Sequence, residues 1–137
     1  MAITEVSSPA LNRPRGLFSQ AVKVDAQGAL LFVSGITSCD ADGNVVGAGD
    51  VTRQTETIFQ NMTTLLAEAG GTLADIVKLT VFVRDIELFP QINAVRDRFL
   101  APPYPASSMV EVSRFVVPEH LIEIEAIAAL GQGRSAT

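Results

Sequence analysis

The stretch Leu121–Leu130 makes sense as a strand only if it is covered on both sides. Successive strand residues point to opposite faces, so Leu121, Glu123, Glu125 and Ile127 share one face. Ile122, Ile124, Ala126 and Ala128 share the other. Apolar residues on both faces imply burial on both. The rest of the chain supplies a cover for only one. Ile58, Phe59, Met62, Leu65, Leu66 and Ala69 form one helical stripe, with Asp50 as the N-cap and Gly70-Gly71 as the stop. Leu88, Ile92, Val95 and Phe99 form a second stripe in a helix near Glu87–Leu100, started by Pro90 and ended by Pro102-Pro103. Two such helices cover one face of a sheet, so the other face is expected against another copy of the chain.

The remaining strands read as Phe18–Val24, Ala29–Val33, Asp75–Arg84 and Ser108–Arg114. Ala29–Val33 is a continuous apolar run that suits a central strand buried on both faces and ended by Ser34-Gly35. In the strand after the first helix, Val77, Leu79, Val81 and Val83 share a face. The expected order is β-β-α-β-α-β-β, an α+β fold with two helices on one face of a mixed sheet. No linker or repeat divides residues 1–137, so a single domain is expected. Residues 1–17 read as an irregular lead-in and residues 131–137 as a flexible tail. The segment from Ser38 to Gly49 is a loop.

A net charge of −5 argues against a general binder of nucleic-acid backbones. Cys39 is the one cysteine and His120 the one histidine, so neither a disulfide framework nor a histidine-based metal site is expected. No apolar run approaches the roughly 20 residues of a membrane span. The N-terminus shows no secretory pattern, and a cytoplasmic location is the default expectation.

Glu123 and Glu125 are the leading candidates for chemistry. Two carboxylates at i and i+2 on one strand face, flanked by Leu121 and Ile127, suit proton transfer. They equally suit rim charges paired with arginine. Ser34-Gly35 permits close backbone approach to a ligand, or merely ends a strand. Asn93 lies off the apolar stripe of the second helix and either bonds a ligand or faces solvent. His120 is expected to be exposed. Cys39 reads as a loop cysteine with no activating base within sequence reach.

Together the segments resemble the Rid family (reactive intermediate deaminases, also called YjgF-like) over roughly Phe18 to Ala129. The resemblance is carried by Phe18-Ser-Gln-Ala-Val22, Phe32-Val-Ser-Gly35, Gln54, Asn61, Ala69-Gly70, Val81-Phe-Val83 with Asp85, Asn93-Ala-Val95, Pro105-Ala106 with Ser108, Val110-Glu-Val112 and Ile122-Glu-Ile-Glu-Ala-Ile-Ala128. It implies a chorismate-mutase-like fold and a homotrimer with small-molecule clefts between subunits. It further implies hydrolysis of imines or enamines to carbonyl compounds and ammonia, with no metal or cofactor and no nucleic-acid or membrane partner. By the same resemblance Glu123 holds the attacking water, Gly35 offers a backbone contact beside Ser34, and Asn93 lines the cleft with Ser108 and Met109.

Two positions depart from the family pattern. Phe18 stands where the family has a tyrosine, and Ser107 where it has the arginine that grips the substrate carboxylate. Losing such a charge-assisted pair from a closed site costs about 2–5 kcal/mol of binding. Arg15 and Arg96 are candidates to restore the charge, with Arg13 and Arg114 as further options. The implied function is a deaminase whose range is shifted away from simple 2-imino acids. The competing readings are a non-catalytic trimer that binds small molecules, and RNA cleavage, which the acidic balance disfavours.

Overall fold

The last strand, β6 (Ile122–Ala129), lies inside a four-stranded sheet in the computed structural model, which describes residues 3–12, 14, 16–25 and 27–131. Its neighbours are β3 (Leu30–Ile36) and β4 (Ile76–Val83), both antiparallel to it. β5 (Ala106–Glu111) completes the order β3-β6-β4-β5 and runs parallel to β4, so the sheet is mixed. A separate two-stranded sheet pairs β1 (Ile3–Val6) with β2 (Ala21–Val24). α1 (Val51–Glu68) and α2 (Phe89–Phe99) complete the α+β architecture.

The alternation of β6 holds as read. Ile122, Ile124, Ala126 and Ala128 are buried, while Glu123 and Ile127 are half-buried and Glu125 is exposed. The buried side meets Val33, Leu79, Val81 and Val83 from the sheet and Ile58, Phe59, Met62, Leu66, Ile92 and Val95 from the helices. Phe59 and Phe99 stack across the two helices with ring centroids 5.2 Å apart.

The caps follow the expected chemistry. The Asp50 carboxylate accepts from the Arg53 N–H at 3.0 Å, which satisfies one of the free donors of the first turn. At the other end Gly70 takes φ +82, and the Gly71 N–H returns to the Leu66 carbonyl at 2.8 Å.

Several boundaries differ from the sequence reading. The irregular lead-in contains a strand, β1, whose Ile3 is 1% exposed while the next three residues are exposed. The strand expected from Phe18 begins at Ala21. Residues before it dock instead along β5, where Ser19 forms a parallel bridge to Ala106. β3 does not end at Ser34-Gly35 but runs on to Ile36 through a break in register. Nor is it buried on both faces, since Phe32 is 71% exposed in the single chain. A register shift in β4 buries Ile76 in place of Val77. β5 starts at Ala106 and stops at Glu111, earlier than read. Most of the expected tail, residues 132–137, lies outside the described residues. No helix among the described residues is long and apolar enough to cross a membrane.

Candidate functional site

Strand register divides the candidate residues between the two faces of the sheet. On β4, Leu79, Val81 and Val83 point into the core beneath the helices, so Lys78, Thr80 and Phe82 point the other way. Glu123 is aligned with Phe82 and Glu125 with Thr80, which sets both carboxylates on the face away from the helices. Ser107 is aligned with Leu79 and Met109 with Val81, so these two belong to the helix side. Ser108, aligned with Thr80, returns to the carboxylate face, where its hydroxyl bonds Lys78 Nζ at 3.1 Å.

Glu123 lies directly over Gly35. A Cβ built on Gly35 would stand 2.7 Å from Glu123 Oε2 and 2.8 Å from its Cδ, closer than real contacts allow. The pairing register between β3 and β6 breaks between Val33 and Ile36, leaving Ser34 and Gly35 without Cα partners. Such a bulge bends the strand and frees its peptide groups from the ladder, and bulges recur beside active sites. Ser34, Gly35 and Glu123 thus form one half-site: a carboxylate resting on exposed backbone. We expect Gly35→Ala to keep most of the stability, because only the flexible end of Glu123 must move. Any activity that depends on the carboxylate's position should fall at least tenfold, read by comparing Tm with turnover.

Beside this half-site the same face carries an open cavity of about 300 Å³, lined by Phe32, Ser34, Lys78, Thr80, Glu125 and Ile127 among others. Glu123 does not line it. No local signal in the sequence brings Lys78, Thr80 and Phe32 together as site residues. Their shared face becomes visible only once β4 is registered against β6.

The second half-site gathers around the start of β5. The Ser19 N–H donates to the Pro105 carbonyl at 3.1 Å, and the Ser19 hydroxyl donates to the Tyr104 carbonyl. Arg96, on α2, closes the cluster: its Nη2 donates to Ser107 Oγ at 3.1 Å and to the Leu17 carbonyl at 3.3 Å. Arg96 is only 3% exposed, so it is no surface charge. Desolvation by burial pulls its pKa below the ordinary arginine value, and the guanidinium remains a cation at neutral pH. Asn93, one turn earlier, is half-buried and does not simply face solvent: its Oδ1 is buried without a partner. Phe18 packs by Gly16 and lines an open cavity of about 610 Å³ with the N-terminal segment. Met109 packs against the core. Arg114 is exposed, and Arg13 and Arg15 lie outside the described residues.

His120 is 2% exposed rather than solvated, with Nε2 3.6 Å from Cys39 Sγ. Two loops distant in sequence bury it, so Cys39 does have a base beside it, which sequence proximity could not show. Gln54 is fully buried and ties these loops together. Its Nε2 donates to the Gly47 and Glu119 carbonyls, each at 3.0 Å, and its Oε1 accepts from the Leu121 N–H at 2.8 Å.

The family described as Endoribonuclease L-PSP matches residues 10–130. A RutC family protein of Pyrococcus abyssi is 39% identical over 116 residues, covering 85% of this chain and 88% of the relative. A 2-iminobutanoate/2-iminopropanoate deaminase of Dermatophagoides farinae is 32% identical over 126 residues, covering 91% and 94%. Among solved structures, the Rid family protein YyfB of Yersinia pestis, described as of unknown function, superposes with a TM-score of 0.86 at 30% identity, covering 95% of this chain and 100% of that one. With the same mixed sheet, the same helix pair and a match along nearly its whole length, the chain belongs to the Rid/YjgF-like family.

Proposed function

We propose that the protein hydrolyses a small imine or enamine to a carbonyl compound and ammonia, with Glu123 as the catalytic carboxylate. The observation that carries this reading is the Glu123 carboxylate resting on the bulged, side-chain-free backbone at Gly35. A water held there by Glu123 faces an iminium carbon. Glu123 takes a proton from the water as its oxygen bonds to carbon and the C=N π pair moves to nitrogen. The proton then passes to nitrogen, Glu123 takes the remaining hydroxyl proton as the C–N bond breaks, and ammonia leaves as the carbonyl forms, so that Glu123 ends with the proton that made the imine an iminium. The net change is imine plus water to carbonyl plus ammonia, and the sequence of steps is ordinary general acid–base catalysis. Two curated relatives named as deaminases of 2-iminobutanoate/2-iminopropanoate and of 3-aminoacrylate support the reaction class.

The cleft in this reading forms between copies of the chain, as a homotrimer. Glu123 and the Ser107–Arg96 pair occupy opposite faces of one sheet, so a single chain does not present them to one small molecule. The uncovered face carries Phe32 at 71% and Val110 at 47% exposure, as a face awaiting another subunit would. The RNA reading is weaker: the lone His120 is buried, and the net charge is −5.

The test is ammonia release from freshly generated imines, carboxylated and uncarboxylated, against buffer. Acceleration on at least one substrate is expected. Binding without acceleration on any of them favours the non-catalytic trimer instead, and a monomer by light scattering removes the inter-subunit cleft.

A further inference from the structure

Two loops far apart in sequence bring a thiol and an imidazole together, and the hydrolytic steps at Glu123 use neither. Cys39 lies in the loop after β3 and His120 in the loop before β6, 81 residues later, with Nε2 3.6 Å from Sγ. Backbone contacts aim both side chains. The Asn61 side chain donates to the Cys39 carbonyl at 3.0 Å, and Cys39 bridges Val45 across its own loop. On the other side Gln54 donates to the Glu119 carbonyl at 3.0 Å, and the His120 N–H closes a turn onto the Val117 carbonyl at 3.2 Å. The neighbouring acid stays out of the pair: Asp40 Oδ1 accepts from the Asp42 and Asn44 N–H groups at 3.0 and 2.9 Å. The Thr37 hydroxyl, 3.9 Å from Sγ, is the second polar group at the sulfur.

His120 is unusually free for a buried histidine. It is 2% exposed, and its Nδ1 has no partner. A bond at one ring nitrogen ordinarily fixes which of the two carries the proton. Nothing at Nδ1 fixes it here, so Nε2 can take a proton from the thiol and give one back. Cys39 itself is half-buried, within reach of a small reagent, while the base behind it is shut off from water.

We propose that Cys39 is a redox modification site for small hydroperoxides, with His120 as its proton acceptor and donor. Nε2 takes the thiol proton and a sulfur electron pair attacks one peroxide oxygen. The S–O bond forms as the O–O bond breaks. The departing oxygen takes the proton from Nε2 and leaves as water or an alcohol. Sulfur is oxidised by two electrons to a sulfenic acid, and the peroxide is reduced by the same two. Cys39 is the one cysteine of the chain, so no second thiol of that chain condenses with the product. A small thiol from solution does so, giving a mixed disulfide and water.

Hydrogen peroxide is the probe, and loss of thiol titre reports Cys39 alone. An ordinary thiol is only about 3% thiolate at pH 7, which leaves room for a paired one to react about tenfold or more faster than glutathione. A dimedone adduct should mark the sulfenic acid. His120→Gln should bring the rate to within about threefold of glutathione. At about pH 10 ordinary thiols ionise without help, so parent and variant should converge there. A merely structural His120 predicts a gap that persists, because access to the sulfur does not depend on thiol ionisation. A parent no faster than glutathione at pH 7 overturns the proposal, as does an unchanged rate in His120→Gln or a gap that survives at about pH 10. Should the variant fail to fold, the parent decides: its advantage over glutathione should vanish at the higher pH, and a constant advantage overturns the role of His120. No imine turnover enters these readings, so they stand or fall apart from Glu123.

Discussion

Glu123→Gln is expected to slow imine hydrolysis by about 10²- to 10⁴-fold and to leave the fold intact. The substitution keeps the size of the side chain over Gly35 and removes its capacity to take a proton from water. Glu123 is half-buried and no ion pair holds it among the described residues, so Tm should move by only about 2 °C. Turnover should fall through kcat, because the carboxylate acts on water in the transition state and is not assigned to gripping the substrate. Activity within a few-fold of the parent on the best substrate removes Glu123 from its role. The matched variant Glu125→Gln controls for charge on that face: it faces the neighbouring cavity and should cost less than tenfold.

The largest effect on stability is expected from Gln54→Leu. The carboxamide fills three hydrogen bonds, to Gly47, Glu119 and Leu121, from a fully buried position. Leucine matches its volume but satisfies none of them. The Gly47 carbonyl keeps the Asp50 N–H at 2.9 Å, but stranding the Glu119 carbonyl and the Leu121 N–H costs about 3–5 kcal/mol, or roughly 10–20 °C in Tm for a chain of this size. The loss should reach function as well, since Gln54 anchors the N–H of Leu121, two residues before Glu123. Chemical denaturation measures the cost, and a change below about 1 kcal/mol would show that water replaces the amide.

How much of this was legible follows from how local each signal is. β6 could be read because a period of two with a strong polar–apolar contrast is a local property. The stripe of α1 and the Asp50 cap are local in the same sense. β1 was missed because Ile3 alone is buried and its pairing with β2 spans the intervening loop. Arg96 was legible in spacing and hidden by chemistry. It lies four residues after Ile92 and three before Phe99, squarely on the inner stripe, but a charged side chain at such a position is ordinarily assigned to the surface. Gln54, four residues before Ile58, was masked in the same way. The partition of Glu123 and Ser107 between faces could not be read at all, because it depends on the registers of β4 with β5 and with β6.

That partition has a genetic consequence. If each cleft takes Glu123 from one copy and the Ser107–Arg96 pair from the next, and turnover needs both, two inactive chains can repair each other. Chains carrying Glu123→Gln and chains carrying Arg96→Met, refolded together, form mixed rings in which one junction joins an unaltered Glu123 to an unaltered Arg96. Neither population alone contains such a junction. Heterozygous complementation would then be a built-in property of the sheet, arising because β5 and β6, on either side of β4, turn Ser107 and Glu123 to opposite faces.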